Sequence, residues 1–120
     1  MIEIALVVSS YLLGSVPSGY ILGSMAGVDI RKAGSGNVGA TNVARLLGRG
    51  RGALTLFADV AKGWLPVFAA LHLEMSLPAV TLAGAAAFLG HLYSVFLRFE
   101  GGKGVATGVG VFLARLLAIG

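Results

Sequence analysis

Cysteine is absent from the 120-residue sequence, which excludes disulfides, cysteine-bound zinc and a cysteine nucleophile. Charge is scarce: Asp, Glu, Lys and Arg make up 12% of the chain, about half the ~25% usual in soluble domains. The N-terminal stretch MIEIALVVSSYLLGSVPSGYILGSMAG has neither a basic leader nor an A-x-A cleavage site. It therefore reads as a retained membrane span and not as a secretory signal. What fills the chain is apolar side chains, 57% of residues, with mean hydropathy +0.90. That balance points to a bilayer as the surrounding solvent.

A helix needs ~20 mostly apolar residues to cross ~30 Å of hydrocarbon. Four stretches meet or approach this: about Ile4 to Met25, Ala53 to Leu73, Leu77 to Leu97, and Val105 to Gly120. The expected fold class is an all-α polytopic transmembrane helical bundle. It forms a single domain over residues 1–120, with loops at about 28–52 and 98–104. Arg31, Lys32, Arg45, Arg49 and Arg51 occupy the first loop, and Arg98 and Lys103 the last, whereas the link between spans two and three carries only Glu74. The positive-inside rule then places both basic loops in the cytoplasm and the N-terminus outside. Gly14, Pro17, Gly63, Pro66 and Gly84 fall inside spans, where neighbouring helices can tolerate them.

Two glycine clusters interrupt the apolar pattern, AGSGNVGATN at residues 33–42 and FEGGKGVATG at residues 99–108. Gly34, Gly36 and Gly39 spell G-x-G-x-x-G, and Asp59 follows at the distance of a dinucleotide-fold acid. The motif needs a preceding strand and a βαβ unit, and a membrane span stands there instead. Nor is the second cluster a Walker A loop, because Gly104 follows Lys103 and Leu97 stands where the first glycine belongs.

The clusters share a simpler property. Glycine lets backbone approach a ligand closely, and successive N–H groups form anion-binding concavities. A fixed cation accompanies each, Arg45 for the first and Lys103 for the second. Arg supplies a planar bidentate fork and Lys a compact charge. Candidate ligand contacts are Ser35, Gly36, Asn37, Gly39, Thr41 and Asn42 in one cluster and Gly101, Gly102, Gly104 and Thr107 in the other. The expected site binds one or two phosphate groups at the cytoplasmic surface. The competing reading is two polar turns whose side chains cap their own backbone. His91 lies within span three, where an ionisable group is a functional candidate. Asp59 and Lys62 share a helix face three residues apart, and either support the first loop or form a structural ion pair. GNVGATN and GKGVATG are also faintly alike, as a duplicated two-span unit would be.

GSVPSGYILG, DIRKAGSGNVGATN, DVAKG and GHLYSVFLRFEGGKGVATG, in this order and spacing, resemble the acyl-phosphate:glycerol-3-phosphate acyltransferases of bacterial inner membranes. The resemblance implies transfer of a fatty acyl group from acyl phosphate to the 1-hydroxyl of glycerol 3-phosphate, giving lysophosphatidate for phospholipid synthesis. It implies these two substrates and the lipid bilayer as partners, no cofactor, no metal and no nucleic acid, and leaves the oligomeric state open. Lys103, Arg45 and His91 are the catalytic candidates.

Ser94 stands where the family usually has proline. The family is also roughly half as long again and has a third cytoplasmic motif. The chain is thus expected to be an N-terminal part of about four spans from a longer bundle, weak or inactive alone. Neither His72 nor His91 begins an H-x-x-x-x-D motif. The expected mechanism is direct attack by the glycerol hydroxyl on an already activated acyl group. The proton would pass to the substrate's phosphate or to a base beyond residue 120. From other classes, a fragment of a small-anion membrane transporter and a non-catalytic membrane remnant also fit polar loops and charges at membrane depth.

Overall fold

A computed structural model describes residues 2–117, which are helical apart from turns and the glycine loops. In chain order the helices are α1 (Ile2–Ser15), α2 (Ser18–Met25), α3 (Ala40–Leu47), α4 (Arg49–His72), α5 (Leu77–Leu92) and α6 (Val105–Leu117). Single 3-10 turns occupy Ile30–Lys32 and Val95–Leu97. Three stretches are long and apolar enough to cross a membrane: Ile2–Met25, Arg49–His72 and Leu77–Leu97. The expected fourth, α6, has 13 described residues, ~20 Å at 1.5 Å per residue. Its expected continuation to Gly120 lies outside the described residues.

Local signals set several boundaries. Ser76 caps α5 by accepting from Ala79 N at 3.4 Å, and Pro78 sits in the first turn, where its missing N–H costs nothing. Gly48, at φ +98°, alone separates α3 from α4. The sequence reading needs correction here. The stretch taken as a loop over residues 28–52 contains the whole of α3, and α4 starts at Arg49 instead of Ala53.

The first span is also not one helix. It breaks at Val16–Pro17, whereas Pro66 stays inside a continuous α4. Proline lacks an N–H, so the turn before it is left with orphan carbonyls. At Pro17 the i−4 carbonyl, Leu13 O, accepts from Val16 N at 3.1 Å and Val16 O from Ser18 N at 3.0 Å, and distant donors add to these. Ser94 Oγ donates to Ser15 O, and Lys62 Nζ donates to Val16 O at 2.9 Å. With those groups satisfied, the chain re-enters a helix at Ser18 and turns toward the glycine loop.

Packing pairs α1 with α5 and α4 with α6. Both crossings bring backbone against backbone. A β-carbon at Gly14 would strike Ala87 O, and one at Gly90 would strike Tyr11 O. Likewise, one at Gly63 would strike Thr107 O and one at Gly110 would strike Val60 O. Small residues at helix contacts are how membrane helices gain dispersion energy without a hydrophobic drive between them. Thr107, fully buried, adds a 2.8 Å bond to Asp59 O across the second crossing.

Two apolar clusters result. Val67, Ala70, Val80, Ala83 and Ala114 fill the space between α4, α5 and α6. Ile30, Val38, Val43 and Leu97 form a separate plug beneath the first glycine loop. On the outer surface Phe57, Phe112 and Leu117 stand exposed, as lipid-facing side chains do.

Candidate functional site

The first glycine loop is held by one side chain. Asn42, 2% exposed, donates from Nδ2 to Ile30 O, Ala33 O and Asn37 O at 3.1, 3.2 and 2.9 Å. Its Oδ1 accepts from Ser35 N at 3.0 Å. Asn37 Oδ1 in turn accepts from Gly39 N at 2.8 Å, just before α3 begins. Gly34 and Gly36 adopt φ of +56° and +76°, the left-handed region that glycine enters without a side-chain clash.

The second loop caps α5. Arg98 and Phe99 both take left-handed φ values, 55° and 67°, and turn the chain back. Gly101 N then bonds to Leu92 O at 2.9 Å and Gly102 N to His91 O at 3.1 Å. A β-carbon on Gly101 would collide with His91 O. From Gly104, at φ +85°, the chain enters α6.

The two loops converge on a cavity of ≈ 610 Å³, within the ~300–1,000 Å³ typical of small-molecule sites. Its polar wall carries Ser35, Asn37, Thr41, Arg45 and Lys103, with Asp59 and His91 also lining it. Gly39, Ala40 and Thr41 bring the start of α3 to the cavity, and Gly104, Val105 and Ala106 the start of α6. Helix N-termini present unbonded N–H groups and the positive end of the helix dipole. Two such ends plus Arg45 and Lys103 make a strongly anion-attracting concavity. Opposite, Leu56, Val60 and Val109 give an apolar wall. A second space of ≈ 410 Å³ continues from it along α6, bounded by Phe88, Gly108, Phe112 and Leu113, and it shares Lys103, Gly104, Val105 and Val109 with the first. The whole is a polar, cationic head joined to an apolar groove.

Several expected contacts lie elsewhere. Asn42 lines the cavity, but its side-chain nitrogen and oxygen are committed to loop backbone. Thr107 is buried in the α4–α6 crossing. Gly36 lies against Arg31 O, while Gly101 and Gly102 serve the α5 cap and pack on His91. Gly36, Gly101, Gly102 and Thr107 do not border the large cavity. Arg31 is engaged by Asp29 through bonds of 3.0 and 2.9 Å and lies 4.5 Å over the Tyr20 ring. That hydrogen bonding holds the Asp29 carboxyl below its ordinary range.

Asp59 and Lys62 form a buried ion pair of 3.1 Å on α4, and His91 Nδ1 stands 3.9 Å from Asp59 Oδ1. Lys62 faces the α1–α2 break and not the large cavity. The apolar lining residues Leu56, Val60, Val105 and Val109 were not singled out by sequence reading. Their only signal is i, i+4 spacing, which lipid-facing residues share.

The family model described as glycerol-3-phosphate acyltransferase matches residues 4–120. A glycerol-3-phosphate acyltransferase of Geobacter metallireducens is 60% identical over 94% of this chain and 58% of its own length. One from Rubrobacter xylanophilus is 48% identical over 100% of this chain and 60% of its own. Among solved structures, the chain is similar to PlsY, an integral membrane glycerol 3-phosphate acyltransferase. In its glycerol 3-phosphate form the TM-score is 0.92 at 44% identity, over 99% of this chain and 61% of that one. The lysophosphatidic acid form gives 0.90 at 43%. The chain thus spans about three-fifths of the length of these proteins. This likeness and the three apolar helices make it a multi-pass membrane protein.

Proposed function

Because the chain belongs to the glycerol-3-phosphate acyltransferase family, we propose that its cavity binds glycerol 3-phosphate and acyl phosphate and serves acyl transfer between them. One observation carries the reading: a cationic pocket built from two helix N-termini, Arg45 and Lys103 opens into an apolar groove along α6. Acyl phosphate has that same division, a phosphate head and a hydrocarbon tail. The tail lies against Val109, Phe112 and Leu113, and the two phosphates share the polar end.

The glycerol 1-hydroxyl oxygen attacks the acyl carbonyl carbon. An ester C–O bond forms, the mixed-anhydride C–O bond breaks and phosphate leaves. The hydroxyl proton goes to a phosphate oxygen. The residues contribute orientation and stabilisation of the negative charge that builds on phosphate and carbonyl oxygens. A direct test supplies acyl phosphate and glycerol 3-phosphate to protein containing this chain together with the family's downstream segment, in lipid. Lysophosphatidate should form. Uptake of labelled phosphate compounds into vesicles, with no acyl transfer, would favour the transporter reading and overturn this one.

The pocket faces the cytoplasm of a bacterial inner membrane. Arg49 and Arg51, both exposed at the start of α4, and Glu74 at its far end support that orientation. Gly50 has open space around it, so Gly50→Cys should be tolerated. It is expected to be protected from an impermeant thiol reagent in intact cells, and Glu74→Cys to be labelled. These 120 residues contain no other cysteine. Labelling of Gly50→Cys instead would place the pocket outside, away from intracellular glycerol 3-phosphate.

A further inference from the structure

Behind the Asp59–His91 wall of the large cavity is a second, small one of ≈ 10 Å³, reaching Pro17 at the α1–α2 break. Three buried polar atoms whose residues line it have no hydrogen-bond partner: Ser15 Oγ, Asp59 Oδ1 and His91 Nδ1. Their residues are 0%, 2% and 6% exposed. Asp59 Oδ1 has Lys62 Nζ 3.1 Å away as an ion pair, and the same ammonium, with three donors, also bonds Val16 O. Ser94 Oγ is likewise committed, to Ser15 O. Buried polar groups left unbonded are costly, and three on one small space share a common remedy. About 10–15 Å³ of such space is what one water requires, and buried waters make about three bonds.

We propose that Ser15, Asp59 and His91 form a binding site for one structural water, and that this water sets the tautomer of His91. The carboxylate of Asp59 offers acceptors only, so the water donates to Asp59 Oδ1. Its lone pairs then accept from the Ser15 hydroxyl and from His91 Nδ1–H. The 3.9 Å gap between Nδ1 and Oδ1 is too long for a direct bond and is bridged in this way. A proton fixed on Nδ1 leaves Nε2, on the opposite edge of the ring beside Gly102, as an acceptor. His91 also lines the large cavity. Its ring is thereby oriented from behind by Asp59 through the water. Ser15 and Asp59 are positioning residues in this arrangement. The site does not depend on which ligand the large cavity takes.

The test uses the full-length protein in nanodiscs with 15N-labelled histidine at about pH 8, where an unperturbed imidazole is neutral. His91 is identified by loss of its signals in His91→Asn. Wild type should give a pyrrole-type nitrogen at Nδ1 and a pyridine-type nitrogen at Nε2. Ser15→Ala removes one of the water's partners and should shift His91 toward a mixture of tautomers. A crystal structure that resolves waters should show one peak within hydrogen-bonding distance of all three atoms. A protonated Nε2 in wild type, an unchanged tautomer in Ser15→Ala, or no such peak would each overturn the proposal. Should Ser15→Ala fail to fold, the wild-type spectrum and density still decide.

Discussion

Lys103→Ala, in the protein with its downstream segment, is expected to lower kcat/KM for acyl transfer about 10- to 100-fold while leaving expression and membrane insertion unchanged. Lys103 is exposed at the join between the polar cavity and the apolar groove, immediately before the start of α6. Its ammonium therefore stands where an acyl phosphate would pass from head to tail. A charge-assisted bond to phosphate is worth ~1.5–3 kcal/mol, and each 1.4 kcal/mol is a factor of ten. No packing is lost with it, so the loss should fall on turnover and substrate affinity alone. Arg45→Lys should also be impaired, because one ammonium cannot reproduce a two-pronged guanidinium contact. Steady-state kinetics with either substrate varied will check both. Full activity in both variants would mean that these cations serve only to orient the chain in the membrane.

Asn42→Asp should cost more, although the substitution is nearly isosteric. The amide nitrogen that donates to Ile30 O, Ala33 O and Asn37 O becomes an oxygen facing three oxygens. The buried bond to Ile30 O and the partly buried bonds to Ala33 O and Asn37 O are lost, although Ala33 O keeps Gly36 N; a buried carbonyl left unbonded costs ~1–3 kcal/mol. A carboxylate placed among them adds a further desolvation cost unless it takes up a proton. The first glycine loop is expected to lose its fixed form. Acyl transfer should fall at least about 100-fold, as the loss of ~3 kcal/mol of pre-organisation implies. The transmembrane helices rest on other contacts, so helical circular dichroism should stay near wild type while limited proteolysis cuts between residues 33 and 39. Wild-type activity in Asn42→Asp would show that the loop is held by something other than this side chain.

How much of this was legible beforehand depends on the distance over which each cause acts. Apolar runs and loop charges are local or summed properties, so the helical class and three span-length stretches could be read directly. Pro17 and Pro66 look alike in sequence, yet one ends a helix and the other does not. The difference lies in Lys62 and Ser94, which are 46 and 79 residues from the carbonyls they satisfy. Spacing placed Asp59 beside Lys62, but no pattern within α4 could bring His91 of α5 against them. For Asn42, a residue that binds ligand and one that ties down its own loop have the same composition around them. Only the location of three carbonyls separates the two.

The pairing of α1 with α5 and of α4 with α6 bears on how the chain enters the bilayer. Made from the N-terminus, α1 arrives first, with Ser10 and Ser15 on the face that α5 will later cover. At its proline break Val16 O then has only the local Ser18 N until Lys62 is made, and Ser15 O awaits Ser94. Hydrocarbon gives such groups no solvation. Early in synthesis this end of α1 must therefore stay near water, or within the insertion machinery, and settle only when α5 is delivered. Lys62 faces the reverse problem, since its ammonium is stable at depth only once Asp59 and Val16 O surround it. Integration of these helices is consequently a concerted closing of a polar seam, with the order of synthesis and the order of assembly set apart by the fold itself.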